Sequence, residues 1–179
     1  MNQQTSTQIF VNGECANVQV KDLILGINHL MTQIEKPQLI TVIRVILPDP
    51  FLLKALFSFD VSLPAIQTLF DAIAIGIKIE LVVHRQLLPM LSVDSLVSLP
   101  VEITDHKGLP VEPITSSIID YSDVALLEHC WLLTVDKPLV TYLAREHIQR
   151  HKISFITKKG GLANALGKNR WLRRRHTEN

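Results

Sequence analysis

Leu39-Ile40-Thr41-Val42-Ile43-Arg44-Val45-Ile46-Leu47, stopped by Pro48-Asp49-Pro50, is the stretch that settles the fold class. Nine residues rich in Ile and Val, nearly continuous in apolar character, read as a central strand buried on both faces. Asp49 then caps a helix whose first residue is Pro50 and which runs over Phe51 to Phe59. A clearer helix follows: Ser62 caps, Pro64 sits in the first turn, and Ile66, Leu69, Phe70, Ile73 and Ala74 make one apolar face that Gly76 ends. Ile77–Val83 returns as a strand. Strand, helices and strand in this order form the unit of a parallel sheet with crossover helices.

The same alternation extends both ways. Upstream, Ile9–Val11 and Cys15–Val20 flank Asn12-Gly13, a strong hairpin signal, although a strand-end loop opening a helix competes with it. Leu23, Ile27, Leu30, Met31 and Ile34 fall at helical spacing and predict a helix over Asp22–Ile34, before Pro37. Downstream, Leu87–Leu99 reads equally as a short helix or a strand, and Val101–Thr104 as a strand. Asp105–Ser117, with Gly108, Pro110 and Pro113, reads as a loop. Tyr121–His129 is a short helix and Trp131–Val135 a strand. Asp136 caps a helix over Lys137–Arg150 that places Leu139, Tyr142, Leu143 and His147 on one face, and Ser154–Ile156 is the last strand. The expected architecture is a three-layer α/β domain over residues 1–157, a mostly parallel sheet with helices on both faces. A basic tail, 158–179, follows.

Composition agrees with a globular fold. The chain has 179 residues, 47% hydrophobic and 20% charged, which excludes collagen-like, mucin-like and disulfide-scaffold proteins. Two distant cysteines, Cys15 and Cys130, fit a reduced, cytoplasmic protein. Met1–Gln8 lacks a signal-peptide pattern, and Phe51–Val83 is too interrupted by charge and proline to span a membrane. Net charge is +1 but uneven. Lys158, Lys159, Lys168, Arg170, Arg173, Arg174 and Arg175 are followed by Glu178 alone among acids, leaving residues 1–157 at −5. Such asymmetry fits contact with a polyanion through these seven residues, or a solvated terminus.

Ligands in open α/β sheets bind outside the carboxyl ends of the strands. Polar residues there include Asn12, Glu14, Asp49, His84, Arg85, Thr104, Asp105, Thr134 and Asp136, with Asp120 and Asp123 opening a short helix. Converging carboxylates would need a divalent cation between them, and hard oxygen ligands select Mg²⁺ or Mn²⁺ for water attack on a phosphodiester. The competing reading of each acid is a helix cap or turn former, and Asp49 before Pro50 reads as a pure cap.

Two blocks carry a resemblance. Ile9-Phe10-Val11-Asn12-Gly13-Glu14-Cys15, continuing to Val20-Lys21-Asp22-Leu23-Ile24, resembles the first strand and helix of the YaiI/YqxD-like branch of the PIN-like nuclease superfamily. Leu133-Thr134-Val135-Asp136-Lys137-Pro138-Leu139 is similar to that family's strand ending Thr-x-Asp-x-Pro-Leu. The resemblance implies a metal-dependent ribonuclease, with Asp136, Asp120 and Glu14 holding Mg²⁺ or Mn²⁺, Thr134 orienting a water or an aspartate, and the basic tail tracking RNA. Asn12 and Glu14 depart from the family's Asp-x-Asp, so a catalytically degenerate relative is the companion reading. Two alternatives stay open: a non-enzymatic interaction or assembly protein that docks through its basic tail, to a partner or a second copy, and a Rossmann-like nucleotide-binding module.

Other signals are bland. His147 and His151 share a helix face, but Glu146-His147-Ile148-Gln149-Arg150-His151 lacks the HExxH order of zinc proteases. No GxGxxG, GxxxxGK[ST] or GxSxG occurs. Trp131 reads as core. Trp171, among Lys168, Arg170 and Arg173, reads as a base-stacking residue or as a hydrophobic anchor for the tail.

Overall fold

The computed structural model describes residues 9–135 and 137–156. Its larger sheet contains β1 (Phe10–Asn12), β2 (Cys15–Val18), β3 (Val42–Ile46), β4 (Lys78–Val83) and β5 (Val101–Asp105), in that spatial order. β1 and β2 form an antiparallel hairpin with Asn12 opposite Cys15, so Asn12-Gly13 makes a tight turn in which Gly13 takes φ +60°. β2 to β5 are parallel.

Helices fill the crossovers. α1 (Val20–Leu23) and α2 (Ile27–Thr32) replace the single helix expected over Asp22–Ile34. Gly26, at φ +90°, breaks it where a side chain would be strained. α3 (Pro50–Phe57) starts as expected, with the Asp49 carboxylate accepting the Leu52 N–H at 2.7 Å. α4 (Pro64–Ala74) has Leu63 at its cap position instead of Ser62, because the Ser62 hydroxyl donates to Asp60 at 2.6 Å. Thr68 of α4, buried, donates to the Leu23 carbonyl at 2.7 Å and so ties α4 to the end of α1. Leu87–Leu99 resolves into a 3₁₀ turn at Arg85–Met90 and α5 (Val93–Ser98).

Alternate residues along a strand point to opposite faces of the sheet. Burial follows: Ala16, Val18, Ile43, Val45, Ile79, Leu81, Val83 and Ile103 are buried, whereas Asn17, Arg44 and Glu80 on the opposite face are half-buried. β3 is therefore buried on one face only, a correction to its apolar reading. Arg44 at its centre needs a partner and finds it on the next strand, donating to Glu80 at 2.8 Å.

The smaller sheet is the enclosed one. Its strands are β6 (Val111–Ile114), β8 (Trp131–Thr134) and β10 (Ser154–Ile156), all parallel, in the order β10-β8-β6. β6 lies in the expected loop. Pro113 is tolerated there because β6 is an edge strand, where a missing N–H costs no ladder bond. Trp131 and Leu133 join the main core, whereas Leu132 packs with Cys130, Ala144, Ile148 and Ile153 in a second cluster. α7 (Tyr142–Arg150) supplies that second layer, with α6 (Tyr121–Val124) beside it. α7 begins five residues later than the sequence predicts. Leu139–Val140 is instead β9, paired with β7 (Ile118–Ile119), which draws that segment out of the helix. α6 is one turn long and does not reach His129. Mostly parallel sheets with helices on them place the chain in the expected three-layer α/β class. Among the described residues, no helix is long and apolar enough to cross a membrane.

Candidate interaction surface

Glu14 and Asp120, two of the acids singled out by sequence, sit on different elements. Glu14 lies in the β1–β2 turn, at the amino end of the parallel strands, and accepts the Thr41 hydroxyl at 2.8 Å. Asp120 caps α6: one carboxylate oxygen accepts the Ser122 N–H at 2.8 Å and the Ser122 hydroxyl at 2.6 Å. Asp123 returns the bond, accepting the Asp120 N–H at 2.9 Å. The Ser122 hydroxyl, with these backbone donors, holds the Asp120 carboxyl below the usual aspartate range. Thr134 ends β8 and is buried. Asp136 and the basic residues Lys158, Lys159, Lys168, Arg170, Arg173, Arg174 and Arg175 lie outside the described residues.

Among the described residues, no group of three His, Cys, Asp or Glu side chains is placed to hold a metal ion. Glu14 and Asp120 thus have no third ligand beside them among the described residues, and Asp136 of the expected set lies outside those residues. The physical reason is local: Glu14 and Asp120 each satisfy a turn or cap within a few residues or the adjacent strand. The other reactive side chains are also settled. His147 and His151 stack with ring centroids 4.0 Å apart, and His147 Nε2 lies 3.2 Å from the Leu127 carbonyl. Burial pushes the Cys130 thiol up to about 11 and raises Cys15 as well, so both are thiols at neutral pH.

At the carboxyl edge of the larger sheet, Asp105 is fully buried. One oxygen accepts the Lys107 N–H at 2.7 Å and the Leu109 N–H at 2.9 Å. The other accepts Arg85 Nε and, at 2.9 Å, the indole N–H of Trp131. Burial alone would raise its carboxyl, but the Leu109 amide, Trp131, Arg85 and the Lys107 amide outweigh it and hold it below the usual range. The Arg85 guanidinium lies over the Trp131 ring at 5.3 Å. Trp131 is in the core, as its sequence context predicts, but its one polar atom fastens the smaller sheet to the larger.

The carboxyl edge of the smaller sheet differs. The connections leaving β6 and β8 pair as β7 and β9, then open α6 and α7. Between those helix starts lies an open cleft of about 450 Å³, lined by Asp120, Tyr121, Ser122, Thr141, Tyr142 and Leu143. Tyr142 is 78% exposed and Leu143 61%. Tyr121 is exposed too, and so are Ile118 and Leu139, paired neighbours across β7 and β9. Sequence reasoning put Leu139, Tyr142, Leu143 and His147 on one helix face, and of these His147 alone is buried. The face that packs is Ala144, His147 and Ile148. That i, i+3, i+4 set was legible, but histidine and alanine carry little weight beside tyrosine and leucine.

Comparison with known proteins completes the picture. Residues 38–154 match a family model described as putative propanediol utilisation. The bacterial microcompartment assembly protein PduM of Salmonella typhimurium is 35% identical over 117 residues, 65% of this chain and 72% of that protein. A protein of the same name from Citrobacter freundii is 26% identical over 95 residues, 53% and 58% of the two chains. No solved structure matches the chain. These relatives overturn the PIN-like resemblance and with it the nuclease and RNA-binding readings. The two blocks that carried it are a hairpin and a strand end, local patterns that unrelated α/β proteins share. A match running from just before β3 to the first residue of β10 shows that the chain belongs to the propanediol-utilisation family.

Proposed function

We propose that this chain is a non-catalytic assembly protein of a bacterial microcompartment, working in the cytoplasm by binding protein partners. The cleft between the starts of α6 and α7 is its docking surface. The observation that carries this reading is the exposed Tyr142–Leu143 pair, rimmed by Tyr121, Ile118 and Leu139, inside the stretch matched to the assembly family. Tyrosine offers large apolar area with a polar tip at little cost in side-chain entropy, and exposed apolar patches of this kind mark protein interfaces.

The test is complementation. In cells that form microcompartments and lack their own PduM, this chain is expected to restore intact compartments, scored by electron microscopy and sedimentation. Tyr142→Ser with Leu143→Ser should abolish rescue while the protein level stays normal. Full rescue by that double variant would sink the surface assignment, and no rescue by the native chain would sink the role.

A further inference from the structure

The larger sheet leaves the outer side of β1 open. The Glu14 carbonyl accepts the Val42 N–H at 3.2 Å, so Glu14, Ala16 and Val18 aim their backbone groups at β3, and Cys15 and Asn17 aim theirs at β1. Their partners there are Asn12 and Phe10, which leaves the N–H and C=O of Val11, between them, pointing away from the sheet. Among the described residues no strand pairs with that side. Two other edges are blunted: β6 carries Pro113, and Thr104 of β5 is bridged to Pro110. β1 has no lysine, proline or bulge, and its Phe10 is 70% exposed.

A groove of about 590 Å³ follows this edge, with Ile9, Phe10 and Val11 on one side and Thr32 to Glu35, at the end of α2, on the other. Val11 is opposite Ala16 and shares its buried face, whereas Phe10 is opposite Asn17 and shares the other face. A groove that touches both faces runs along the margin of the strand, where an added strand would lie. Such a strand would bond the backbone of Val11 and set alternate side chains over Ile9, Val11 and Ile34. Of the lining residues Glu35 alone is charged, and it is exposed, so a cation on the occupant is its complement. A second copy fits less well. The three residues of β1 paired with themselves fall far short of the roughly 800 Å² per partner that a stable dimer needs. We propose that the outer edge of β1 takes an extended segment of a protein partner as an added strand, with alternate apolar residues and a lysine or arginine facing Glu35.

The experiment uses the full chain and a fluorescein-labelled six-residue peptide of alternating valine and lysine, read by fluorescence anisotropy. Saturable binding is expected below about 1 mM. Val11→Pro removes the outward N–H, spares the bonds between β1 and β2, and should weaken binding about tenfold or more with circular dichroism unchanged. Glu35→Gln should weaken it about twofold to fivefold. The same peptide N-methylated at every amide should not bind, a control that leaves the protein untouched, and a valine–glutamate peptide should bind more weakly. Five results would overturn the proposal: no saturable binding, equal binding by the N-methylated peptide, equal binding by the valine–glutamate peptide, a Val11→Pro variant that binds as tightly as the native chain, or a native dimer in sedimentation that Val11→Pro dissociates, which would give the edge to a second copy. The edge uses no residue of the cleft and lies outside the stretch matched to the family, so these outcomes are separate from failed complementation.

Discussion

The two sheets present their carboxyl edges in opposite ways. At the larger sheet, Asp105 is buried and accepts four donors, and its Arg85 partner lies over Trp131. That carboxylate is fully engaged within the protein. At the smaller sheet, the polar groups of Asp120, Ser122 and Asp123 satisfy one another, and Tyr142 and Leu143 stand in water. Polar residues at a strand end therefore do not by themselves mark a site. A satisfied carboxylate there is a fastening, and the functional surface is read from apolar groups that have no packing reason to be exposed.

The strongest way to break this contrast is Asp105→Ala. It strands the Arg85 charge and three N–H donors in the interface between the sheets, and should cost about 3 to 5 kcal/mol. Urea unfolding would show the lowered midpoint, and a change under 1 kcal/mol would remove Asp105 from its role as the fastening.

Trp131→Phe keeps the ring's burial and removes one donor and part of the cation–π contact. The expected loss is about 1 to 3 kcal/mol in the same assay.

The pH dependence has a fixed sign. Both Asp105 and Asp120 titrate lower in the folded chain than in the unfolded one. Each therefore adds stability that is fully present above the unfolded value, about 3.9, and is lost as pH falls through the folded value. Unfolding midpoints followed from pH 7 to pH 2.5 should drop at the acid end, and Asp105→Asn should flatten that drop.

The smallest effect on stability sharpens the comparison most. Tyr142→Ser should move the unfolding free energy by about 0.5 kcal/mol or less, because its side chain is in solvent. Loss of a tyrosine anchor should still weaken partner binding by about 2 kcal/mol, roughly thirtyfold. Titration calorimetry against a purified compartment protein that the native chain binds would check it.

The α/β class was legible because Val42–Ile46 and Lys78–Val83 are long apolar runs bracketed by proline and glycine. Asp49 was legible as a cap because Pro50 follows it. The errors have physical causes. Val111–Ile114 hid as a loop because Pro113 forbids a central strand and permits an edge. Leu139–Val140 hid in a helix because its partner, Ile118–Ile119, is about twenty residues away in sequence. The acids were gathered into one site on the strength of strand ends alone, whereas Glu14 lies in a hairpin turn and Asp120 at a helix cap.

Local chemistry, acting within a few residues, set the turn at Gly13, the break at Gly26, the caps at Asp49 and Asp120 and the strands of the larger sheet. These depend on backbone sterics and short-range hydrogen bonds, which any reader of the chain can reconstruct. Packing between distant segments set the rest: the second sheet, the bond from Trp131 to Asp105 across 26 positions, and which side of α7 faces water. A side chain's exposure is decided by what comes to lie over it. For Tyr142 and Leu143 the described residues bring nothing, and that is why the surface could be found only in three dimensions.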